Sequence, residues 1–173
     1  MIEVQITNAM REVAHDMSSE MGILKRSITR GQGNVYGFLG ELVALDVLDG
    51  LHQNTMDYDI IVDGYKIDVK TKKTTVKPKP DYDCSVADLT RKQNCDFYAF
   101  VRVLSDQSVG WFLGVKKAEQ YFKDARYIKK GDYDNSNGFT ARANCYNMPI
   151  SELEIDLPSS FRHKTVKSEL SAG

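Results

Sequence analysis

The sequence is poor in the residues that build disulfide frameworks and zinc sites. It has three cysteines (Cys84, Cys95 and Cys145) and three histidines, with no CxxC spacing. An odd number of widely spaced cysteines argues against a disulfide framework and does not match zinc-ligand spacing. The same pattern is typical of a reducing compartment, so we expect a cytoplasmic protein.

Long apolar runs and an excess of one charge are also missing. No stretch approaches membrane-spanning length, and the first residues lack the charged-then-apolar plan of a signal peptide, so no membrane partner is expected. The formal net charge is −1, so any nucleic-acid site must be a local concentration of positive charge. The composition, 42% hydrophobic and 27% charged, predicts one globular domain over 1–158 and a polar, loosely held tail over 159–173.

Residues 56–73, MDYDIIVDGYKIDVKTKK, predict a hairpin around which the chain is organised. Asp63-Gly64 suits a two-residue type I′ turn. That turn fixes the pairs across the hairpin, which are Val62–Tyr65, Ile60–Ile67, Asp59–Asp68 and Asp57–Lys70. Because side chains alternate along a strand, one face is apolar. Its members are Tyr58, Ile60, Val62, Tyr65, Ile67 and Val69.

The polar face of the hairpin places Asp59 opposite Asp68, with paired Cα atoms expected only about 4.5 Å apart. Two like charges at such a position destabilise a hairpin by roughly 0.2–1 kcal/mol. A divalent cation between the carboxylates removes the repulsion, and Mg²⁺ typically takes one or two carboxylates, waters and substrate phosphate. The alternative is that Lys70 neutralises Asp57 and Asp68 on a solvated strand. The hairpin alone leaves both interpretations open.

Residues 34–48, NVYGFLGELVALDVL, predict a helix that contains two glycines, Gly37 and Gly40. Glycine costs up to about 1 kcal/mol relative to alanine inside a helix, so we expect this helix to lie close to another backbone. Glu41 shares one side of the helix with Gly37 and Ala44, where small neighbours allow its carboxylate to approach a sheet. A solvent-facing glutamate is the alternative.

Positive charge is concentrated after the hairpin. The segment 70–80, KTKKTTVKPKP, has five lysines and no acid. Lysines beside a metal site can hold a phosphate backbone without reading sequence, whereas a solvated loop needs no ligand. Before the helix, Gly31-Gln32-Gly33 either ends the preceding segment or, with Arg30, contacts phosphate at the helix start. The candidate nucleic-acid contacts are Arg30, Lys72, Lys73, Lys77, Lys79, Arg91 and Gln93.

Further along the chain, apolar runs over 97–104 and 110–115 predict two strands, the first central, and 117–123 predicts a short helix. Residues 132–138, DYDNSNG, are similar to a calcium loop at first sight. The glycine falls one place late and Ala143 stands where a bidentate glutamate is required, so we expect a turn without calcium.

The ordered set Gly37-x-x-Gly40-Glu41-x-x-Ala44, Tyr58-Asp59-Ile60 and Ile67-Asp68-Val69-Lys70 resembles the PD-(D/E)XK nuclease superfamily. The resemblance covers roughly residues 33–115. In this pattern Glu41 matches the helix glutamate, Asp59 the first aspartate, and Asp68 and Lys70 the ends of the D-x-K triplet. The family's usual proline is absent, since Tyr58 precedes Asp59.

The resemblance implies an α/β (α+β) fold with a restriction-endonuclease-like core, in which helices flank both faces of a mixed central β-sheet. It also implies a Mg²⁺-dependent phosphodiesterase, for which Mn²⁺ can substitute, with DNA favoured as substrate and endonuclease favoured over exonuclease action. The implied catalytic residues are Glu41, Asp59, Asp68 and Lys70. The implied metal ligands are Asp59, Asp68, the Val69 main-chain carbonyl and Glu41. A homodimer is left open.

Within such a site, Lys70 is expected to orient the attacking water and stabilise charge in the transition state. A lysine acting as base at neutral pH must lose its proton, and adjacent carboxylates oppose that loss. Two other functional interpretations stay open at this point. The chain could be a nuclease-fold protein that binds nucleic acid or a protein partner without catalysis, or a structural domain with a charged hairpin.

Overall fold

The computed structural model describes residues 1–21, 34–53 and 55–158. Their helices are α1 (Asn8–Met21), α2 (Asn34–Leu48) and α3 (Ala118–Asp124), with short 3-10 helices at Asp88–Thr90 and Ile150–Glu152. Their strands, in chain order, are β1 (Ile2–Gln5), β2 (Leu51–His52), β3 (Ile60–Val62), β4 (Tyr65–Thr74), β5 (Asp83–Ala87), β6 (Phe97–Leu104), β7 (Val109–Lys117), β8 (Arg126–Ile128), β9 (Tyr133–Asp134), β10 (Phe139–Thr140) and β11 (Cys145–Pro149).

A six-stranded sheet in the order β1-β7-β6-β4-β3-β2 forms the centre of the fold. β4 and β6 run parallel, and the other neighbouring pairs are antiparallel. A three-stranded sheet in the order β5-β11-β8 and a two-stranded sheet of β9 and β10 complete the described strands. The predicted mixed sheet is therefore confirmed.

Each face of the central sheet is covered by its own apolar cluster. On one face, α2 packs against β4 and β6, and α1 packs against α2; buried members include Leu39, Val43 and Val69. On the other face, α3 and strands of the three-stranded sheet cover Tyr98 and Phe100. The predicted arrangement of helices on both faces is confirmed.

The hairpin turn forms as predicted from Asp63-Gly64. Both residues have positive φ, 50° and 85°, as a type I′ turn requires. Strand partners Val62–Tyr65 and Ile60–Ile67 are also confirmed. β3 begins only at Ile60, however, so the predicted strand pairs Asp59–Asp68 and Asp57–Lys70 are wrong.

The register breaks because the Asp59 amide donates a hydrogen bond to the Ile67 carbonyl at 2.9 Å, whereas the predicted ladder puts Asp59 opposite Asp68 at a non-hydrogen-bonded position. Tyr58 also leaves the predicted apolar face. Its half-buried ring lies with its centroid 5.5 Å from Nζ of Lys66, a residue of the polar face. Asp57 is exposed.

Helix α2 has the predicted bounds, and only one of its two glycines has the predicted cause. A Cβ built on Gly40 would lie 1.8 Å from Oγ1 of Thr71 on β4, so glycine allows the helix to pack closely on this strand. Nothing lies within 4 Å of a Cβ on Gly37. The expectation that Gly37 also serves a close approach is therefore wrong.

The remaining predictions divide into those confirmed and those outside the described residues. The strand over 97–104 matches β6, the strand over 110–115 lies within β7, and the helix over 117–123 is shifted by one residue in α3. Residues 135–138 form the turn between β9 and β10, and the earlier part of the predicted turn contains β9. Arg30, the Gly31–Gly33 segment and the tail over 159–173 lie outside the described residues. Among those described, no helix is long and apolar enough to cross a membrane.

Candidate active site at the start of strand β4

Strand β4 presents Asp68 and Lys70 on the face that carries Tyr98 and Phe100, their partners on β6. Nζ of Lys70 lies 2.5 Å from Oδ2 of Asp68. It also donates a hydrogen bond to Oε1 of Gln93 at 3.1 Å and lies 5.6 Å from the centroid of the Tyr98 ring. The ammonium is therefore held from three directions beside a buried carboxylate.

Asp59 occupies the edge of β4 where β3 has not yet begun. Its Oδ2 accepts a hydrogen bond from the Val69 amide at 2.7 Å, so a side chain replaces the missing strand partner. In a strand, the N–H and C=O of one residue point to the same side. The Val69 carbonyl therefore points toward the edge at which the Asp59 carboxylate lies.

Glu41 reaches this site from α2, one residue after the close contact between Gly40 and Thr71. Its Oε2 lies 2.7 Å from Nε2 of His52, and its side chain is 13% exposed. His52 is carried by β2, where it pairs with Ile60, the first residue of β3. Glu41 is therefore a partly buried, oriented carboxylate and not the solvent-facing side chain that was the alternative.

The charge of Asp68 raises the proton affinity of the other two carboxylates, Glu41 and Asp59. Burial and then the Asp68 charge raise the pKa of Glu41 to about 7. Burial, followed by the charges of Glu41 and Asp68, raises the pKa of Asp59 to about 8, although the Val69 amide and Lys70 act in the opposite direction. These directions follow from moving negative charges out of water and next to each other. The site therefore has more acidic side chains than the single ammonium of Lys70 can balance.

The third carboxylate, Asp68, also has an incomplete set of partners. Its Oδ2 is buried and has no hydrogen-bond donor among the described residues. The Lys70 ammonium is close, but it does not lie in hydrogen-bonding geometry. A buried carboxylate oxygen without a donor is costly unless a cation compensates it.

The donor set fits a hard cation that needs few protein ligands. In the described ranges, no three Asp, Glu, His or Cys side chains are gathered closely enough to hold a metal by themselves. Mg²⁺ does not require such a cage, because it usually keeps several waters and takes one or two carboxylates. Cys95 offers no soft ligand here, since burial and then the Asp68 charge raise the pKa of its thiol to about 12.

The predicted nucleic-acid contacts lie in several places. Lys72 follows Lys70 on the same face of β4, whereas Nζ of Lys73 lies 5.0 Å from the centroid of the Tyr36 ring on α2. Lys77 is exposed, 3.9 Å from Glu3, and Lys79 is exposed.

The other two described candidates are already engaged by side chains. Arg91 donates to the Tyr146 hydroxyl at 3.0 Å and lies over the Phe122 and Tyr146 rings. Gln93 contacts Lys70 and also donates to the Met56 carbonyl at 3.1 Å, so it belongs to the acidic site itself.

Two residues of the site were not predicted. His52 lies in a segment without a helix or strand pattern, and nothing in the sequence links it to Glu41. Tyr98 stands in the apolar run FYAFVRVL, where a tyrosine is expected in the core. Period-two alternation, together with the parallel pairing of β4 and β6, is the signal that would have placed Tyr98 beside Asp68.

Comparison of the chain with models of known protein families found no match, and comparison with curated proteins found none either.

Proposed function

We propose that the chain is a metal-dependent phosphodiesterase acting on nucleic acid, a PD-(D/E)XK-like nuclease. One observation carries this proposal. The partly buried Glu41 and Asp59 lie close enough to the buried Asp68 for its charge to raise their pKa values, and Oδ2 of Asp68 has only the Lys70 ammonium beside it, with no hydrogen-bond donor among the described residues. Folded chains rarely retain uncompensated buried charge without a functional reason. A hard cation with a phosphate ligand compensates all three.

Asp59, Asp68 and the Val69 carbonyl are the groups that would hold Mg²⁺, with Glu41 holding the ion or its waters. Mn²⁺ offers a similar preference for oxygen ligands. A bound divalent ion supplies Lewis acidity at a phosphoryl oxygen and acidifies its coordinated water. The chain's own contribution is orientation. The Val69 amide fixes Asp59, His52 fixes Glu41, and Gln93 fixes Lys70.

Lys70 acts in this proposal as a charged group. Its Nζ forms an ion pair with Oδ2 of Asp68 at 2.5 Å. The ammonium can donate to the attacking water and to a non-bridging phosphate oxygen, which positions the nucleophile and stabilises the charge that develops on phosphorus-bound oxygen. Proton removal from the water is left to a carboxylate or to solvent.

The substrate follows from the position of the cations. Lys72 and the exposed lysines after β4 continue the strand beyond Lys70, so a polyanion passing the site meets positive charge on one side. We take DNA as the favoured substrate and endonucleolytic cleavage as the favoured mode, as the family resemblance implies.

The test is a panel of end-labelled DNA and RNA, each as duplex, single strand and branched junction, incubated with Mg²⁺, with Mn²⁺ and with EDTA. The D68N variant is the matched inactive control, and K123A, on the exposed end of α3, is the matched active control. Cleavage that needs a divalent ion and disappears in D68N supports the proposal. Binding without cleavage under every metal would overturn it in favour of a non-catalytic nuclease-fold protein.

A further inference from the structure

A cleft of about 470 Å³ continues from Lys70 along the same face of the central sheet. Its floor contains Phe100 and Leu113 from β6 and β7, and part of one wall is Ser85 of β5. Four of its lining side chains are cationic. They are Lys70, Lys72, Arg102 and Arg142.

Lys72 and Arg102 are strand partners on β4 and β6, so two positive side chains stand next to each other on one face. Like charges at paired positions destabilise a sheet, as two carboxylates do. Partial burial and then the Arg102 charge lower the pKa of Lys72, and burial lowers that of Arg102. The charge of Asp83 acts in the opposite direction on both side chains, but no carboxylate of the described residues lies within 4 Å of either cationic group.

Arg102 is the buried member of the pair, with 7% of its surface exposed. Its guanidinium donates to the Asp83 carbonyl at 2.8 Å and lies 5.4 Å from the centroid of the Tyr82 ring. No carboxylate among the described residues lies within 4 Å of it. A guanidinium has five N–H donors in a fork that matches phosphate, so most of its capacity remains for a ligand.

The carboxylate of Asp83, which also lines the cleft, is directed to other partners. Its Oδ2 accepts hydrogen bonds from Arg126 at 2.8 Å and from Asn137 at 2.5 Å. Those two side chains fix it toward the turn between β9 and β10. Asp83 therefore does not form an ion pair with Lys72 or Arg102 within the described part of the chain.

We propose that this cleft is a phosphate subsite, in which Lys72, Arg102 and Arg142 hold the nucleic-acid phosphate that neighbours the cleaved one. The subsite rests on the proposed function for its role, although its anion binding is independent of catalysis. Lys70 and Lys72 are two residues apart on a strand, or about 6.6 Å. That distance is similar to the spacing between neighbouring phosphates in an extended single strand of nucleic acid.

The size of the cleft narrows the class of substrate. A volume of about 470 Å³ accommodates a single nucleotide and is too small for a duplex. A base-paired nucleotide can offer this cleft only its phosphate, whereas an unpaired nucleotide of a single-stranded region, a frayed end or a branch point can fill it, so we expect unpaired strands to bind more tightly. Recognition through phosphate alone carries no sequence information.

The subsite is tested by binding in EDTA, where no cleavage can interfere. A fluorescently labelled single-stranded thymidine tetranucleotide is titrated against the wild-type chain and against K72Q, R142Q and R102Q, with K123Q as the matched surface control. R102Q removes a buried group and can lose folding, so the two more exposed variants carry the result. Circular dichroism melts check that each variant is folded.

The expected result is that K72Q and R142Q each weaken binding about tenfold. Each should also reduce the slope of log affinity against log salt by about 0.7, the value for one lost contact to a single strand. K123Q should bind as the wild type does. D68N should bind at least as tightly, because it removes a negative charge outside the subsite. Unchanged affinity and slope in both K72Q and R142Q would overturn the subsite.

A second comparison separates the subsite from the nuclease proposal. The same variants are assayed for cleavage of a single strand and of the matched duplex with Mg²⁺. Cleavage that is intact in K72Q and R142Q and equal for both substrates contradicts the subsite and leaves the nuclease proposal standing. Tetranucleotide binding that depends on Lys72, with no cleavage in any metal, contradicts the nuclease proposal and leaves the subsite standing.

Discussion

The two ends of strand β4 have an excess of opposite charge. At the start of the strand, Asp68 shares a buried site with Glu41 and Asp59, and burial and mutual repulsion raise the pKa values of Glu41 and Asp59. Toward the end, Lys72 and Arg102 stand side by side, and no carboxylate of the described chain lies within 4 Å of Arg102. A cation at the first end and a phosphate at the second would relieve both, which is what a metal-bound nucleic-acid strand supplies.

The two ends also differ in rigidity. Each group at the acidic end is fixed by a specific hydrogen bond, namely Asp59 by Val69, Glu41 by His52 and Lys70 by Gln93. At the basic end, Lys72 and Arg142 are exposed, and neither side chain has such a hydrogen bond to any described residue. Chemistry depends on geometry held within fractions of an ångström, whereas electrostatic retention of a strand tolerates movement. We therefore expect substitutions at the acidic end to affect catalysis and those at the basic end to affect binding.

The largest effect is expected from D68N and K70A. Each should reduce the cleavage rate at saturating substrate by about 10³-fold, because each removes a fixed charge that acts on the transition state. Tetranucleotide affinity in EDTA should not fall in D68N, because the substitution removes a negative charge outside the phosphate subsite. Single-turnover cleavage measures the first quantity and fluorescence titration the second. A fully active K70A protein contradicts the role given to Lys70.

The second largest effect is expected in the free energy of unfolding, measured in EDTA at different pH values. Glu41 and Asp59 retain their protons in the folded chain up to about pH 7 and about pH 8, whereas the unfolded chain loses them near pH 4. The unfolded state therefore binds fewer protons between these values, and stability should decrease as pH rises from 5 to 8.

D59N should be more stable than the wild type at pH 8, by up to a few kcal/mol, and similar at pH 5, since one pKa unit corresponds to about 1.4 kcal/mol. Urea unfolding at both pH values measures the difference. Adding Mg²⁺ should stabilise the wild type more at pH 8 than at pH 5, because the ion binds the ionised carboxylates. A wild-type stability that rises from pH 5 to pH 8 in EDTA does not fit this electrostatic description.

A matched pair of glycine substitutions tests whether the acidic end depends on the approach of α2. G40A should destabilise the fold by about 1–3 kcal/mol, because its Cβ overlaps Thr71. G37A, three residues earlier on the same helix, has open space and should stabilise by up to about 1 kcal/mol. Thermal unfolding distinguishes the two. Equal stabilities would mean that Gly40 does not set the distance between α2 and β4.

A smaller effect is expected from H52A, which leaves every proposed ligand in place and removes the partner of Glu41. Loss of an outer partner of a metal ligand typically costs 10- to 100-fold in metal affinity or activity. The Mg²⁺ concentration for half-maximal cleavage should rise by that factor in H52A, and H52Q should recover part of it. H15A, at an exposed position of α1, is the matched control. An unchanged Mg²⁺ requirement in H52A would show that Glu41 needs no orientation by His52.

Most of the acidic end could be predicted from the sequence, because it is specified by patterns over a few neighbouring residues. Asp63-Gly64 specifies its turn, and alternation along β4 then assigns Asp68 and Lys70 to one face. The point at which β3 begins was not accessible. Asp59 replaces strand pairing with a side-chain bond to Val69, and no propensity distinguishes that choice from a longer ladder. β2 was missed since two residues carry too little pattern.

The basic end was hidden for a different reason. Arg102 stands inside the apolar run of β6 and Arg142 in an irregular segment about 40 positions away, so neither adds to a visible run of positive charge in the sequence. Only the parallel pairing of β4 with β6 and the return of the chain through β11 bring them beside Lys72. Non-local pairing of this kind cannot be deduced from composition or spacing.

The most direct test of the central claim is plasmid nicking by the wild-type chain and by D68N, measured side by side with Mg²⁺ and with EDTA. The proposed function predicts open-circular product for the wild type with Mg²⁺, and background nicking in EDTA and for D68N in either condition. Nicking by the wild type that persists in EDTA, or nicking by D68N at the wild-type rate, would contradict the claim that the carboxylates of Glu41, Asp59 and Asp68 serve a metal ion at the cleaved phosphate.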